Sequence, residues 1–456
     1  MKKISLKDVA RFCGVTTALD GEITKISTDS RDIDENTLFV ALIGERFDAH
    51  NFVADVLSKG ARAVVCSKNV GDDQRIIYVE DTGKALLDIA HGYRKTFDIP
   101  FIGLTGSVGK TTSKGMIYAV VKQGFDAHKT AGNLNNEIGV PKTLFALEEH
   151  HEAAVIEMGM NHFDEISRLS RAVEPSIAVI TNVGTAHIEN LGSREGILKA
   201  KLEILDGMEK GSTLIINGDN DMLSTVESND YNILRFGIES ENLYMWAEDI
   251  KSDENGSTFT AVCGDERAEV FVPAVGIHNV YNALCAMCVG KQLGFSLEKS
   301  ARGVAEFESE GMRQKITRIN DITFIEDCYN ANPDSMKASL EAMKTLKSKR
   351  SFAILGDMLE LGDFGEKAHR TVGEYAAMTG CDFVLTYGEN ARLISDEAKA
   401  RGVYGESFAD KEEIAEFLYK SLSSGDVALF KGSRGMKMED IFNSLYKKLG
   451  YQGYNT

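Results

Sequence analysis

The sequence predicts an α/β protein of several domains, and three observations carry that expectation. The chain has 456 residues, which at about 150 per domain allows about three. Of these, 43% are hydrophobic, enough to give each domain a core. Short apolar runs alternate with amphipathic stretches of helical length, the pattern of parallel strands joined by right-handed helical crossovers. The 42 glycines and five prolines suit many βα turns and loops that close on phosphate, and they fit neither a collagen-like nor a disordered chain.

The elements follow in order. Within residues 1–98, TLFVAL (37–42), ARAVVC (61–66) and RIIYVE (75–80) read as buried strands of a small α/β domain. A helical stretch, KALLDIAHGYRKTF, leads to Pro100, and a second domain is expected over 99–312. There FIGLTG, EAAVIEMG, SIAVITNVG and STLIING read as strands of a mostly parallel sheet, with SKGMIYAVVKQ and REGILKAKLEILDGM each as one helix. Residues 241–275 alternate apolar and polar between turn residues, which predicts a β-hairpin on the edge of that sheet. From 313 to 456 the rhythm restarts with ITFIEDCYN, SFAILGD, DFVLTYG and DVALFKGS as strands and GEKAHRTVGEYAAM and KEEIAEFLYKSL as helices, a Rossmann-like third domain.

Charge and composition exclude some functions. The balance 51 − 69 = −18 counts against nucleic acid or an anionic membrane as the main partner, since both need a basic face. The first residues are too polar for a secretion signal, and no apolar run reaches the ~18 residues of a membrane span, so a cytoplasmic location is expected. Seven scattered cysteines fit a reducing compartment better than a disulfide framework. The CxxC pair Cys285 and Cys288 lies in an apolar helical pattern with no second pair, and is expected to be packed thiols.

The strongest local signal is Thr105-Gly106-Ser107-Val108-Gly109-Lys110-Thr111-Thr112, set between a strand and a helix. Such a loop turns backbone N–H groups and a helix N-terminus toward phosphate, the lysine reaches the β and γ phosphates, and the Thr111 hydroxyl suits Mg²⁺. Leu104 stands where the strict P-loop pattern has its first glycine. Glu157 ends a strand beside this loop, where a carboxylate can hold the nucleotide's metal or simply face solvent. His187 follows another apolar strand toward the same edge, although a lone histidine is more often structural. Lys201 sits on an amphipathic helix, and nothing in its spacing separates it from a solvated face. The run from Gly132 to Thr143 offers Asn133, Asn135 and Asn136 to a polar ligand or to turns. Asp327 to Pro333 follows a strand and could touch a nucleoside.

Taken together, STDSRDI, GERFDAHNFV, TGSVGKTT, GNLNNEIGVPKTL, VIEMGMNHFDEI, TNVGTAHIENLGS, KAKLEI, GIHNVYNALCA, DCYNANPDSM, LGDMLELG and KGSRGMKME resemble the Mur ligases. These are ATP-dependent amide-bond-forming enzymes of cell-wall precursor synthesis, and the resemblance spans essentially the whole chain. GNLNNEIGVP and DCYNANPDSM are similar to the branch that adds D-Ala-D-Ala rather than to the sibling that adds the third residue. Ala49 stands where the family often has glycine.

The resemblance implies ATP, two Mg²⁺ ions and a CO₂-derived carbamate on Lys201 as cofactors. Thr105 to Thr112 would hold ATP phosphates, Thr111 and Glu157 the first Mg²⁺, and His187 and carbamylated Lys201 the second. Asn279, Asn282, Arg313, Asp327 and Tyr329 would embrace the rest of the nucleotide. Ser27, Thr28, Asp29, Ser30, Arg31, Arg46, Asp48 and His50 match positions for the UDP-sugar. Asn133, Asn135, Asn136, Asn330, Asn332, Asp357, Glu360, Lys431, Ser433 and Arg434 are candidates for peptide and incoming dipeptide. The implied partners are UDP-MurNAc-tripeptide and D-Ala-D-Ala, with no nucleic acid, no membrane insertion and a monomeric state. The alternatives are a related amide ligase or a P-loop nucleotide switch.

Overall fold

The computed structural model describes residues 1–309 and 311–451. The N-terminal part is built on a four-stranded parallel sheet in the order Lys25–Ser27, Thr37–Val40, Ala63–Cys66, Ile76–Tyr78. Its two central strands are buried at every residue because elements cover both faces. The helix Thr82–Arg94 presents Leu86, Ile89, Ala90 and Tyr93 to one continuous core that also contains Phe101, Val140 and Leu144. Tyr93 ties this junction: its hydroxyl donates to the Leu147 carbonyl at 2.7 Å and accepts from the Lys2 amide at 2.6 Å.

The central sheet has nine strands, in the order Ala127–Lys129, Ala153–Glu157, Phe101–Thr105, Ile177–Ile180, Thr213–Asn217, Asn232–Gly237, Met245–Asp253, Gly256–Cys263, Glu266–Val272. The first seven run parallel. Phe101–Thr105 lies between strands reached by opposite turns of the chain, so a crevice opens at its C-terminal end. Register fixes what surrounds that crevice: Glu157 pairs with Leu104, and Ile180 with Thr105. The helices Lys110–Val121 and Ile277–Gln292 cover one face through Met116, Ile117, Val120, Leu284 and Cys288. Cys285 and Cys288 are buried there, with Cys288 Sγ 3.9 Å from Met245 Sδ, and burial pushes both thiols up.

The C-terminal sheet runs Lys315–Ile319, Ile322–Asp327, Val427–Lys431, Ser351–Gly356, Phe383–Tyr387, Tyr404–Phe408, with the first pair antiparallel and the others parallel. Among the described residues, no helix is long and apolar enough to cross a membrane.

Two expectations change in detail. Residues 245–272 form three antiparallel strands rather than a single hairpin, and the first of them also pairs in parallel with Asn232–Gly237. The stretch 194–208 is not one helix: Arg194–Leu202 is α-helical and Glu203–Gly207 tightens to a 3-10 turn. There the Ser170 hydroxyl donates to the Ile204 carbonyl, and Gly207 sits so close to the Ser170 carbonyl that a β-carbon would collide.

Candidate functional site

The crevice at the end of Phe101–Thr105 opens into a cavity of about 810 Å³ between the central and C-terminal sheets. The phosphate loop forms its floor. Gly106 passes so close to the Thr181 hydroxyl that no side chain fits, and Gly109 has φ +81°, a backbone conformation that glycine adopts without strain. The helix starting at Lys110 therefore aims its N-terminus, with its positive potential, at the cavity. Asn182 Oδ1 accepts from the Ser107 and Val108 amides at 3.0 and 2.8 Å and holds the loop in shape. Lys110 Nζ donates to the Gly106 carbonyl at 2.8 Å. Desolvation lowers its pKa, with Glu157 opposing the shift.

Glu157 is 1% exposed. Its carboxylate accepts from Thr111 Oγ1 at 3.0 Å and from Asn135 Nδ2 at 2.8 Å, and Lys114 Nζ lies 3.4 Å away. A hydroxyl and a carboxylate side by side are hard oxygen donors, so Thr111 and Glu157 fit a Mg²⁺ ion. Asn136 lines the cavity but spends its side-chain oxygen on the Gly139 amide at 2.8 Å, while Asn133 is exposed outside the lining.

His187 stands in a left-handed conformation with φ 63° and lines the cavity. Its Nδ1 lies 3.1 Å from Glu360 Oε2 without hydrogen-bond alignment, and the imidazole holds the Glu360 carboxyl below its usual range. Lys201 is 1% exposed, far from a solvated face. Desolvation, and then the charge of Lys110, drive its pKa well below the ordinary lysine value. Desolvation favours the uncharged amine, and among the described residues His187 lines the cavity whereas Lys201 does not; a cation site shared by the two would need negative charge on the amine, which a carbamate would supply.

The opposite wall comes from the C-terminal side. Arg313 stacks 3.9 Å over the Tyr329 ring. Asp327 pairs with Lys431 at 2.6 Å and accepts from Ser339 at 2.6 Å, and Lys431 also donates to the Asn330 carbonyl. Asn282 bonds Ser113 and Asn279, which pins the phosphate-loop helix to the helix Ile277–Gln292, and Asn279 Nδ2 donates to the Val275 carbonyl and to Gln314 Oε1 at 3.2 Å, at the entrance of the third domain. Asn332 caps the helix Pro333–Thr345 through a capping box with Ser335.

The remaining candidates lie elsewhere. Among the described residues, the cavity lining begins at Ser107, so none of the N-terminal candidates faces it. Thr28 and Ser30 are partly exposed and Arg46 is exposed; Asp29 accepts from Arg31 at 2.6 Å, and the Ser27 hydroxyl accepts from the Asp29 amide. His50 Nε2 accepts from the Ser67 amide, so its Nδ1 carries the proton and donates to Asp48 at 2.7 Å. Lys68, then His50, hold Asp48 well below the usual carboxylate range. Asp357 accepts from the Ala391 amide, the Ser433 hydroxyl accepts from the Leu359 amide, and Arg434 pairs with Glu439 at 2.6 Å, so all three are engaged within the C-terminal domain. The residues that the sequence reading missed are Lys114 and Asn182. The one available signal for Lys114 is a charge four residues after Lys110, just before the apolar half of the helix.

Comparison with known proteins agrees with this arrangement. Residues 22–94 match the Mur ligase family catalytic domain, 104–290 the Mur ligase middle domain and 312–434 the Mur ligase, glutamate ligase domain. The chain is 39% identical to the UDP-N-acetylmuramoyl-tripeptide--D-alanyl-D-alanine ligase of Bacillus subtilis over 92% of each chain. It is 35% identical to the Escherichia coli protein of the same name, over 94% of this chain and 97% of that one. The crystal structure of MurF from Acinetobacter baumannii superposes with a TM-score of 0.90 at 30% identity, covering 98% and 99% of the two chains. MurF from Thermotoga maritima in complex with ADP does so with a TM-score of 0.86 at 28% identity, covering 93% and 98%. The chain belongs to the Mur ligase family.

Proposed function

We propose that this chain joins D-Ala-D-Ala to the terminal carboxylate of UDP-MurNAc-tripeptide, spending ATP, to give the UDP-MurNAc-pentapeptide of peptidoglycan synthesis. The observation that carries this reading is the single cavity in which the phosphate loop, Glu157 and Asn135 face Arg313, Asp327 and Lys431, in a chain similar over nearly its whole length to ligases of that name. The tripeptide carboxylate attacks the γ-phosphate, ADP leaves, and an acyl phosphate remains. The amine of D-Ala-D-Ala then attacks the acyl carbon and expels phosphate.

Each step needs positive charge where two anions meet, and exclusion of water from the acyl phosphate. Lys110 and the loop amides supply the first; Thr111 and Glu157 would hold one Mg²⁺, and His187 with a carbamylated Lys201 would hold the other. Mg²⁺, when bound, neutralises the phosphate oxygens. Burial favours the uncharged Lys201 amine, which would add to CO₂ with release of one proton and so carry a carboxylate on a long arm. In this reading residues 1–98 take the UDP-sugar, 99–312 take ATP and metal, and 313–456 close over nucleotide and dipeptide. Its place is the cytoplasm, which fits seven free cysteines.

An ATP-dependent phosphate-release assay over a matrix of UDP-muramoyl peptides and amine donors tests the reading. Release should require both UDP-MurNAc-tripeptide and D-Ala-D-Ala. Release with a UDP-muramoyl-dipeptide and a diamino acid instead would make the chain the third-residue ligase, and release without either substrate would make it a nucleotide switch. Small-angle scattering should also show compaction when an ATP analogue and UDP-MurNAc-tripeptide bind together, because the C-terminal wall must close to exclude water; an unchanged radius of gyration would contradict that closure.

A further inference from the structure

Lys114 plays no part in the scheme above, yet it is among the most deeply buried charged side chains of the protein, at 0% exposure. It lies one turn beyond Lys110 on the helix Lys110–Val121, on the same side. Its Nζ lies 3.4 Å from Glu157 Oε2 and donates to the Gly132 carbonyl at 2.8 Å. Among the described residues, this ammonium links the phosphate-loop helix to the end of the strand Ala153–Glu157 and to the loop that carries Asn133, Asn135 and Asn136. Among the described residues, Thr111 and Asn135 also reach the Glu157 carboxylate, both as neutral donors.

A buried carboxylate stays ionised only when its charge is compensated, and a buried ion pair is often no more stable than apolar residues of the same volume. One turn along the helix from Lys114 the side chains of Thr111 and Ile117 are also buried, and neither carries a charge that would call for a partner. Lys114 does not line the cavity itself; its charge reaches it through Glu157, which does.

We propose that Lys114 is a positioning residue for ligation. It keeps the Glu157 carboxylate aimed at Thr111 before the nucleotide's metal arrives, and through Gly132 it holds the asparagine loop against the phosphate loop. One buried cation thereby sets the metal site and the peptide-facing loop together. This inference rests on the proposed ATP and peptide reading and goes beyond it in assigning the residue that couples the two.

The test compares wild type with Lys114→Met and Lys114→Gln. Calorimetry measures ADP affinity with and without Mg²⁺. Without Mg²⁺ the three proteins should bind ADP alike, while the gain on adding Mg²⁺ should shrink about tenfold in both variants, the size expected when a residue orienting a metal ligand is lost. In steady-state ligation Lys114→Met should raise KM for UDP-MurNAc-tripeptide and leave KM for D-Ala-D-Ala unchanged. Lys114→Gln, which can still donate to Gly132, should recover the tripeptide KM but not the Mg²⁺ response. An undiminished Mg²⁺ gain in Lys114→Met overturns the proposal; if that variant does not fold, an undiminished gain in Lys114→Gln does so. The calorimetry decides the role of Lys114 even without turnover, whereas absence of ligation by wild type would count against the proposed function alone.

Discussion

Lys201→Ala is expected to lower kcat about 1,000-fold or more, equivalent to about 4 kcal/mol of barrier, and short-chain carboxylic acids are expected to restore part of it. Lys201 is 1% exposed, and desolvation followed by the Lys110 charge pushes its pKa well down. An ammonium in that position would add to the positive charge of Lys110 where metal must bind. Desolvation favours the uncharged amine, whose lone pair would then add to CO₂, and a carbamate formed there would place an anion close to Lys110. Truncation to alanine removes the anion and leaves a space in which formate or acetate can stand in for it. Steady-state phosphate release with and without added acid measures the effect, and full activity in the unrescued variant would rule out the carbamate.

Glu157→Gln is the second large effect. The substitution keeps the shape but removes the charge from a carboxylate that Thr111, Asn135 and Lys114 surround. Loss of one pre-organised charge at a phosphoryl-transfer site costs about 100-fold to 1,000-fold in kcat. The Mg²⁺ concentration for half-maximal rate should rise with it. ADP affinity measured without Mg²⁺ should stay as in wild type if Glu157 acts through the metal, as proposed. A variant with normal Mg²⁺ dependence would remove Glu157 from the metal site. Breaking the buried pair with Lys114 should also destabilise the domain by a few kcal/mol, about the size found for other buried pairs that lose one partner; thermal unfolding of the apo protein measures this.

These two residues were unequally legible in the sequence, for a physical reason. Glu157 ends a fully apolar strand, and a parallel sheet with helices on both faces brings the ends of neighbouring strands to one edge. Its position beside the phosphate loop therefore follows from local pattern and topology. The loop itself was legible for the same kind of reason, since glycine spacing and a helix start are local features. Lys201 gave no local signal: its helix is amphipathic, it carries Lys199 two residues away, and only tertiary packing buries one lysine while leaving the other's ammonium over the Phe163 ring. Here the family resemblance supplied what periodicity could not.

The same limit explains Asp357, Ser433 and Arg434. Their residue types and strand-end positions suit a ligand, but which partner each takes depends on neighbouring loops, and the folded chain engages them with Ala391, Leu359 and Glu439. It also explains the elements the sequence reading left unmarked. Ala127–Lys129 and Tyr404–Phe408 are edge strands without a fully buried residue, so neither an apolar run nor a clean alternation marks them. The alternation over 241–275 marked strands correctly but did not count them, because turns at Glu254-Asn255 and Gly264-Asp265 divide it into three.

The central claim is that the peptide carboxylate is activated as an acyl phosphate inside this cavity. The most direct measurement uses UDP-MurNAc-tripeptide labelled with ¹⁸O in its terminal carboxylate, incubated with ATP, Mg²⁺ and D-Ala-D-Ala, with the released phosphate analysed by mass spectrometry. One labelled oxygen in each released phosphate is the predicted result, because the carboxylate oxygen that attacks phosphorus stays with it when the amine displaces phosphate. Unlabelled phosphate released in step with pentapeptide would contradict the account.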